Sequence, residues 1–438
     1  MSPSADAVDS AVEQSREALV RFLQTLVRTP SVTGSEEAAQ RVVFEAYDAL
    51  GLEPRFVVAT REALAPHPAF SDDGIPFVDR ASVVGRWPGS GGGRSLILNG
   101  HVDVVPPGEL TAWTADPWSG LIRDGRLYGR GACDMKAGLT ATLIAVRALK
   151  ATGFRPAGDI LLESVVAEET GGIGTLSTIV HGYRADACII TEPTGLTIWT
   201  AQSGALTFRI SIDGLAAHAA MKSKGVSALI EFMPILSMLE RLDVERHQRF
   251  HHPLFADPNN VAPINIGVVR AGDWHSTVPR TLVAEGRFGI FPGESAEDAR
   301  AELARALEQE VAHHPWLAAH PPRLEWFEGQ FDSSEIPADS DIVKVVAFAH
   351  ERVTSRDATL GGVSAGTDAR LFTRYADIPT VLYGPGDVAQ AHTVNESVEI
   401  EDIVRCAKAL AHVIVDWCGD AAKSTNALER TAAIPTSA

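Results

Sequence analysis

Short apolar strands that are followed by acidic or histidine residues constrain the fold of this chain more than any other feature. Three such runs are SLILNG at 95–100, DILLESVV at 159–166 and DACIIT at 186–191, and a helical pattern separates the first two. Buried strands that alternate with helices are typical of a mostly parallel sheet with helices on both faces. We therefore predict an α/β fold, and we expect the residues after these strands to meet at one edge of the sheet.

The middle of the chain has a different pattern. Segments such as 205–214 and 282–291 alternate apolar and polar residues, as half-buried antiparallel strands do. The predicted order there is strand, helix, strand, strand, helix, strand, which indicates a small α+β domain with an open antiparallel sheet. We place this inserted domain at 204–330, and we assign 1–203 and 331–438 to the α/β domain.

The charge balance limits the partners of the chain. Thirty-eight Lys and Arg against 56 Asp and Glu give a net charge of −18. Phosphate backbones require a basic face, so nucleic acid and anionic membrane surfaces are not expected partners. No run approaches the roughly 18 apolar residues of a membrane helix, and no secretory signal is visible at the N-terminus. A cytoplasmic protein is therefore expected.

Two smaller features concern the cysteines and the C-terminal end. The cysteines are widely spaced without a CxxC motif, and free buried thiols are the favoured interpretation over disulfides. The last ~20 residues are small and polar, which favours a mobile tail.

Acidic and histidine residues follow the strand ends, and one further acid precedes a helix in GRGACDMKAG. Each of them alone is more often a solvated or capping residue than a ligand. Together they place several carboxylates at one edge, where they would repel one another unless cations held them. The sequence therefore predicts a metal centre. Its candidate residues are His101, Asp103, Asp134, Glu168, Glu169, Glu192 and His392.

The number and kind of these residues favour two metals. Two histidines with three or four carboxylates exceed one tetrahedral zinc site and suit two metals about 3.5–4 Å apart that share a carboxylate. Asp134 is the natural shared ligand, because it is central in chain order and precedes a helix N-terminus. Such a mixed set fits zinc, cobalt or manganese. Asp103 could orient the imidazole of His101, and one of the adjacent glutamates could act as a base.

Six blocks of the chain resemble the dinuclear-zinc amidohydrolase family of acetylornithine deacetylase, succinyl-diaminopimelate desuccinylase, aminoacylase and bacterial glutamate carboxypeptidase. The blocks cover nearly the whole chain in order. The resemblance implies that the insert at 204–330 is a lid and dimerisation domain, and hence a homodimer. The blocks are HVDVVPPGE, WTADPWSGLIRDGRLYGRGACDMKAG, AEETGGIGT, TEPTG, GLAAHAA and GPGDVAQAHTVNES.

The resemblance implies two metal positions, most simply two Zn²⁺ ions, with Asp134 shared between them. His101 and Glu192 would complete the first position, and Glu169 and His392 would complete the second.

Further roles are implied by the same resemblance. Glu168 would be the general base for attack by a metal-bridged hydroxide, and Asp103 would support His101. His218 would enter the partner subunit's site and help to hold the oxyanion. The peptide bond Asp134–Met135 is a candidate for the cis form.

The substrate side of the chain departs from the family pattern. Many members carry an Arg three residues before Pro-Gly-Glu of the lid, where this chain has Gly289; Arg287 lies on the same strand face and could substitute. Many members also have an Asn where this chain has Ser276 and Thr277. Two further loops could contact substrate or serve only as structure: Asp368 with Arg370, and Gly384 with Gly386.

We expect a metal-dependent hydrolase of a small N-acyl amine or amino acid, similar to acetylornithine deacetylase. The alternatives within the enzyme class are desuccinylation, deformylation of an N-formyl amine, and dipeptide or carboxypeptidase cleavage. A metal-binding or ligand-binding homologue without turnover is the alternative of another class. It is disfavoured because Glu168 and all the implied ligands are present, and a binder is expected to lose its base first.

Overall fold

A computed structural model describes residues 3–419 of the chain, and the predicted C-terminal tail lies outside these residues. The helices are α1 Ala5–Gln14, α2 Arg16–Arg28, α3 Glu37–Ala49, α4 Arg61–Leu64, α5 Ala137–Ala151, α6 Ile173–Val180, α7 Ala228–Arg249, α8 Ala296–Val311, α9 Pro315–Ala319, α10 Asp341–Thr354, α11 Ala369–Tyr375 and α12 Ile400–Cys418. The strands are β1 Arg55–Val58, β2 Ala81–Trp87, β3 Leu96–His101, β4 Leu121–Arg123, β5 Arg126–Tyr128, β6 Ile160–Val165, β7 Cys188–Ile190, β8 Ile198–Gln202, β9 Gly204–Asp213, β10 Ile264–Ala271, β11 Thr281–Ile290, β12 Arg323–Phe331, β13 Ser334–Glu335, β14 Leu360–Val363, β15 Thr380–Leu382 and β16 Ser397–Glu399.

Contacts between residues divide the chain into two compact units. The first unit combines the chain up to Thr200 with Ile336–Gly361 and with the chain from Asp368 onward. The second unit combines Ala201–Glu335 with Gly362–Thr367.

The first unit contains the central sheet, whose strands run in the order β1-β2-β6-β3-β7-β15-β8. β3 pairs parallel with β6 and β7, and β7 pairs parallel with β15. Toward the edges, β2 pairs antiparallel with β6 and β8 pairs antiparallel with β15. The sheet is thus mixed, with a parallel centre, which confirms the predicted α/β class.

Both faces of this sheet are covered, as the apolar strands predict. Leu96 and Leu98 of β3 belong to one buried cluster, whereas Ile97 between them belongs to another. Successive side chains of a strand point to opposite faces, so the two clusters lie on the two sides of the sheet. Helices α5 and α12 contribute to the first cluster and α6 and α11 to the second.

The second unit has a four-stranded antiparallel sheet in the order β10-β11-β9-β12. Alternate residues of β9 are buried, including Leu206, Phe208 and Ile210, and they pack with residues of α7 and α8. This arrangement confirms the predicted order of elements, with the short α9 added before β12. The segment 204–330 of the sequence analysis lies inside this unit.

Two further expectations concern membranes and thiols. Among the helices that the structure describes, none is long and apolar enough to cross a membrane. The cysteines are buried and free, as predicted: Cys133, Cys188, Cys406 and Cys418.

Candidate metal centre

Three neighbouring parallel strands deliver residues to one edge of the central sheet. β3 ends at His101. A short 3-10 turn, Glu168–Thr170, follows β6, and Glu192 follows β7. Because β6, β3 and β7 are hydrogen-bonded neighbours that run in one direction, their carboxyl ends lie side by side.

Asp134 lies between the two histidines of this edge. His101 Nε2 is 3.2 Å from Asp134 Oδ1 and 3.8 Å from Glu192 Oε1. His392 Nε2 is 3.5 Å from Asp134 Oδ2 and 2.9 Å from Glu169 Oε2. The two carboxylate oxygens of Asp134 therefore face different histidines, as a shared ligand would require. The peptide bond between Asp134 and Met135 is cis, as predicted.

The charges of this cluster are poorly balanced by protein groups alone. Burial raises the pKa of Glu168, Glu169 and Glu192, and repulsion between neighbouring carboxylates adds to this effect. Burial opposes protonation of His101, but the contact with Asp134 and the surrounding carboxylates outweigh it, so the pKa of His101 is raised. Nitrogen and oxygen donors with a surplus of negative charge are a suitable ligand set for divalent cations. One donor atom each from His101, Asp134 and Glu169 lies within 4.8 Å of the others.

Asp103 supports the centre in two ways. His101 Nδ1 donates to the backbone carbonyl of Asp103 at 2.8 Å, which leaves Nε2 with a free lone pair for a metal. The Asp103 carboxylate is farther from Nδ1, at 3.6 Å, so the carbonyl rather than the predicted side chain orients this imidazole. The carboxylate instead accepts from the backbone N–H groups of Glu168 and Glu169 and from the hydroxyl of Thr33. It thereby fixes the turn that carries both glutamates.

The structure favours a structural role for Asp368 and Arg370. Both side chains are buried, and Arg370 Nη2 donates to the carbonyl of Gly171 at 2.8 Å. The carboxylate of Asp368 occupies the space where a side chain at Gly172 would lie. These contacts hold the loop that follows Glu168–Thr170.

The glycines of the GPG turn are required by close packing. The N–H of Gly384 donates to the Thr194 hydroxyl at 3.1 Å, so this group is already bonded within the protein. A Cβ at Gly384 would collide with the carbonyl of Glu192, and a Cβ at Gly386 would meet the Cys133 thiol. Gly386 also has a φ of +89°, a conformation that favours glycine. A structural role in the turn therefore accounts for glycine at both Gly384 and Gly386.

The remaining candidates belong to the second unit. His218 is exposed, and its Nδ1 accepts from the N–H of Ala220 at 3.1 Å. Arg287 Nη2 donates to the carbonyl of Ser364 at 2.8 Å, and burial lowers the pKa of this guanidinium. A side chain at Gly289 would collide with the backbone of Ala262, which explains why this chain has no Arg there.

Two groups of supporting residues escaped the sequence analysis. Glu396 is fully buried and bonds to the loop that carries Asp134. Asp73 accepts from the hydroxyl of Thr170 at 2.9 Å and forms a buried ion pair with Arg80 at 2.7 Å. The only sequence signal for Glu396 was its position inside the HTVNES block, and the segment around Asp73 had no recognisable pattern.

Comparison with known proteins gives consistent results. The model of peptidase family M20/M25/M40 matches residues 97–416. N-formyl-4-amino-5-aminomethyl-2-methylpyrimidine deformylase of Halalkalibacterium halodurans is 31% identical over 346 residues, which is 74% of this chain and 79% of the relative. Acetylornithine deacetylase of Myxococcus xanthus is 30% identical over 80% of this chain and 87% of the relative. A dipeptidase structure from Saccharomyces cerevisiae has a TM-score of 0.72 at 17% identity and covers 94% of this chain and 98% of its own, which supports the fold.

Proposed function

The chain belongs to peptidase family M20/M25/M40, a family of metal-dependent hydrolases, and we propose that it hydrolyses the amide bond of a small N-acyl amine. The observation that carries this proposal is the set of histidines and carboxylates around Asp134, in which His101, Glu168 and Glu192 are buried and His392 is exposed. The resembling deformylase and deacetylase both remove a small acyl group, according to their names.

We assign two divalent cations to this centre, with zinc the best fit and cobalt or manganese as alternatives. His101, Asp134 and Glu192 would hold one cation, and Asp134, Glu169 and His392 would hold the other. Such cations supply a Lewis acid for the acyl carbonyl and for the attacking water.

Glu168 is the proposed general base. Burial raises the pKa of its carboxyl group, which brings proton transfer closer to neutral pH than for an ordinary glutamate. In the proposed reaction Glu168 accepts a proton from the attacking water and then donates it to the leaving amine nitrogen. Asp103 supports this step because its carboxylate accepts from the backbone N–H of Glu168.

The substrate we propose first is an N-formylated aminomethylpyrimidine. Two relatives with this deformylase name, from Halalkalibacterium halodurans and Bacillus subtilis, are each 31% identical to the chain. The pyrimidine named there has no carboxylate, which agrees with the absence of an Arg at Gly289 and with the bond of Arg287 to Ser364. N-acetylornithine is the second candidate, supported by the 30% identity to a deacetylase.

A substrate panel tests this order. We expect kcat/KM for the N-formyl aminomethylpyrimidine to exceed that for its N-acetyl analogue and for N-acetylornithine by roughly 10-fold or more, since a pocket built for formyl has little room for a methyl group. N-succinyl-diaminopimelate and dipeptides should be poorer still. A Glu168→Gln preparation controls for contaminating hydrolases. Cleavage of only those peptides that have a free C-terminus would contradict the deacylase proposal.

We further propose a cytoplasmic homodimer. The four free cysteines fit a reducing compartment. Helix α7 of the second unit exposes the apolar side chains of Leu229, Ile230 and Met233, which are candidates for burial against a second subunit. In this dimer the exposed His218 would reach the partner subunit's centre and stabilise the oxyanion.

His218→Ala should therefore lower kcat by about 10²–10³-fold without loss of metal, as removal of one oxyanion donor does. Because the proposed contribution crosses subunits, mixing inactive His218→Ala with inactive Glu168→Gln protein should restore about one quarter of wild-type activity after subunit exchange. Mixing Glu168→Gln with His101→Ala is the control, since every mixed dimer then lacks an intact centre. Metal loss in His218→Ala would instead make His218 a ligand.

A further inference from the structure

Glu396 is a fully buried carboxylate beside the metal centre. Its Oε2 accepts from Arg130 Nη1 at 2.6 Å and from the N–H of Gly131 at 3.0 Å. Its Oε1 accepts from the N–H groups of Cys133 at 2.8 Å and Asp134 at 3.0 Å. All four donors belong to the segment that leads to Asp134, so one carboxylate organises the whole approach to this residue.

The bonds explain how a charge can be buried at this position. A buried carboxylate without partners is strongly disfavoured, whereas charge-assisted bonds from a guanidinium and three backbone groups offset its lost hydration. Arg130 is buried as well, and its ion pair with Glu396 has almost no exposure to water. The pair therefore keeps the segment in one conformation, because any movement would leave both charges unpaired.

Glu396 is also fixed at its own backbone. Its carbonyl accepts from the N–H of Gly129 at 3.0 Å, and the next residue, Ser397, begins strand β16, which pairs with β5. Asn395, the residue before it, accepts from the N–H and hydroxyl of Thr114 at 2.7 and 2.8 Å. The segment after His392 is thus anchored on one side by Thr114 and on the other by β5.

We propose that Glu396 is a positioning residue that couples the loop of Asp134 to the segment of His392. This inference rests on the proposed ligand sets, in which Asp134 and His392 bind the second metal together with Glu169. The first position also uses Asp134, but its other two ligands, His101 and Glu192, are held at the ends of β3 and β7 independently of Glu396. Glu396 therefore sets the affinity of the second position more than that of the first.

The test is a stepwise titration of metal-free protein with metal. Binding of Zn²⁺ is measured by calorimetry, and binding of Co²⁺ is measured by its absorption spectrum. Glu396→Gln keeps the shape of the side chain, but its NH₂ group cannot accept hydrogen bonds and would face one of the two pairs of N–H donors. We expect it to weaken the binding of one of the two equivalents by about 10–100-fold and of the other by only a few-fold. Glu399→Gln is the matched control, because Glu399 lies on the same segment in an exposed ion pair with Arg126. The Glu399→Gln protein should bind both metal equivalents with wild-type affinity.

Glu396→Asp provides a second variant in case Glu396→Gln does not fold. It retains the negative charge, but its shorter side chain cannot reach Arg130 and the backbone donors together, so it should show the same selective loss. Wild-type affinity at both positions in a folded variant, or equal loss at both, would overturn the proposed role of Glu396. If wild-type protein itself binds only one equivalent, the two-metal proposal fails, and this inference fails with it.

Discussion

Replacing Glu168 by Gln is expected to lower kcat by about 10²–10⁴-fold while both metals stay bound. The amide has nearly the shape of the carboxylate but cannot accept a proton from water. The turn should remain in place, because Asp103 bonds to the backbone N–H of residue 168 and not to its side chain. Steady-state kinetics on the best substrate of the panel, with elemental analysis of the same samples, measure the two quantities.

Replacement of the neighbouring Glu169 is expected to have a different effect, on metal binding rather than on proton transfer. Glu169 Oε2 lies 2.9 Å from His392 Nε2, so Glu169→Gln should lose metal at the second position. The reverse pattern, with metal loss in Glu168→Gln and full metal content in Glu169→Gln, would exchange the two roles. Near wild-type turnover in metal-replete Glu168→Gln would show that another group is the base. A wild-type protein that binds metal but turns over no acyl compound would favour the non-catalytic alternative.

The central sheet was predictable because burial on both faces leaves a visible pattern. Continuous apolar runs identified β3, β6 and β7, and each of these strands is buried along its described length. The alternating pattern of β9 likewise identified the antiparallel sheet. The antiparallel edges of the central sheet were not predicted, because the apolar pattern of a strand indicates its burial and not the direction of its neighbours.

The N-terminal helix shows where periodicity alone is insufficient. Apolar residues from Val8 to Leu26 recur on one face and predict one helix that ends before Pro30. The structure divides it into α1 and α2 at Ser15. The Ser15 hydroxyl donates to the carbonyl of Ala11 at 2.9 Å, a local bond of the kind that competes with regular helix geometry. Both halves keep the same buried face, so the pattern does not reveal the break.

The candidate site was partly predictable for a similar reason. Residues directly after strand ends could be placed at one edge from topology, but supporting residues act through contacts that sequence does not reveal. Glu396 bonds mainly to backbone N–H groups, which every residue but proline offers. Asp73 joins Arg80 to Thr170 from a segment without regular structure. Such partners become visible only once the chain is folded.

Removal of the metals is expected to abolish turnover, and addition of Zn²⁺, Co²⁺ or Mn²⁺ to restore it. The metal-free centre should also hold extra protons, because burial and mutual repulsion raise the pKa of Glu169 and Glu192, and contact with Glu169 raises the pKa of His392. Ligands must lose these protons to bind metal, so loading should release about one proton or more near neutral pH, and affinity should fall as pH falls.

Calorimetry of reloading in two buffers that differ in ionisation enthalpy measures this release. His218→Ala is a useful control here, since it should release as many protons as wild type while remaining slow. Full activity in excess chelator would remove the metal mechanism altogether. Reloading that restores turnover without proton release would mean that the carboxylates of the metal-free centre are already ionised. Some other cation would then balance their charge, and the raised pKa values of Glu169 and Glu192 would be contradicted.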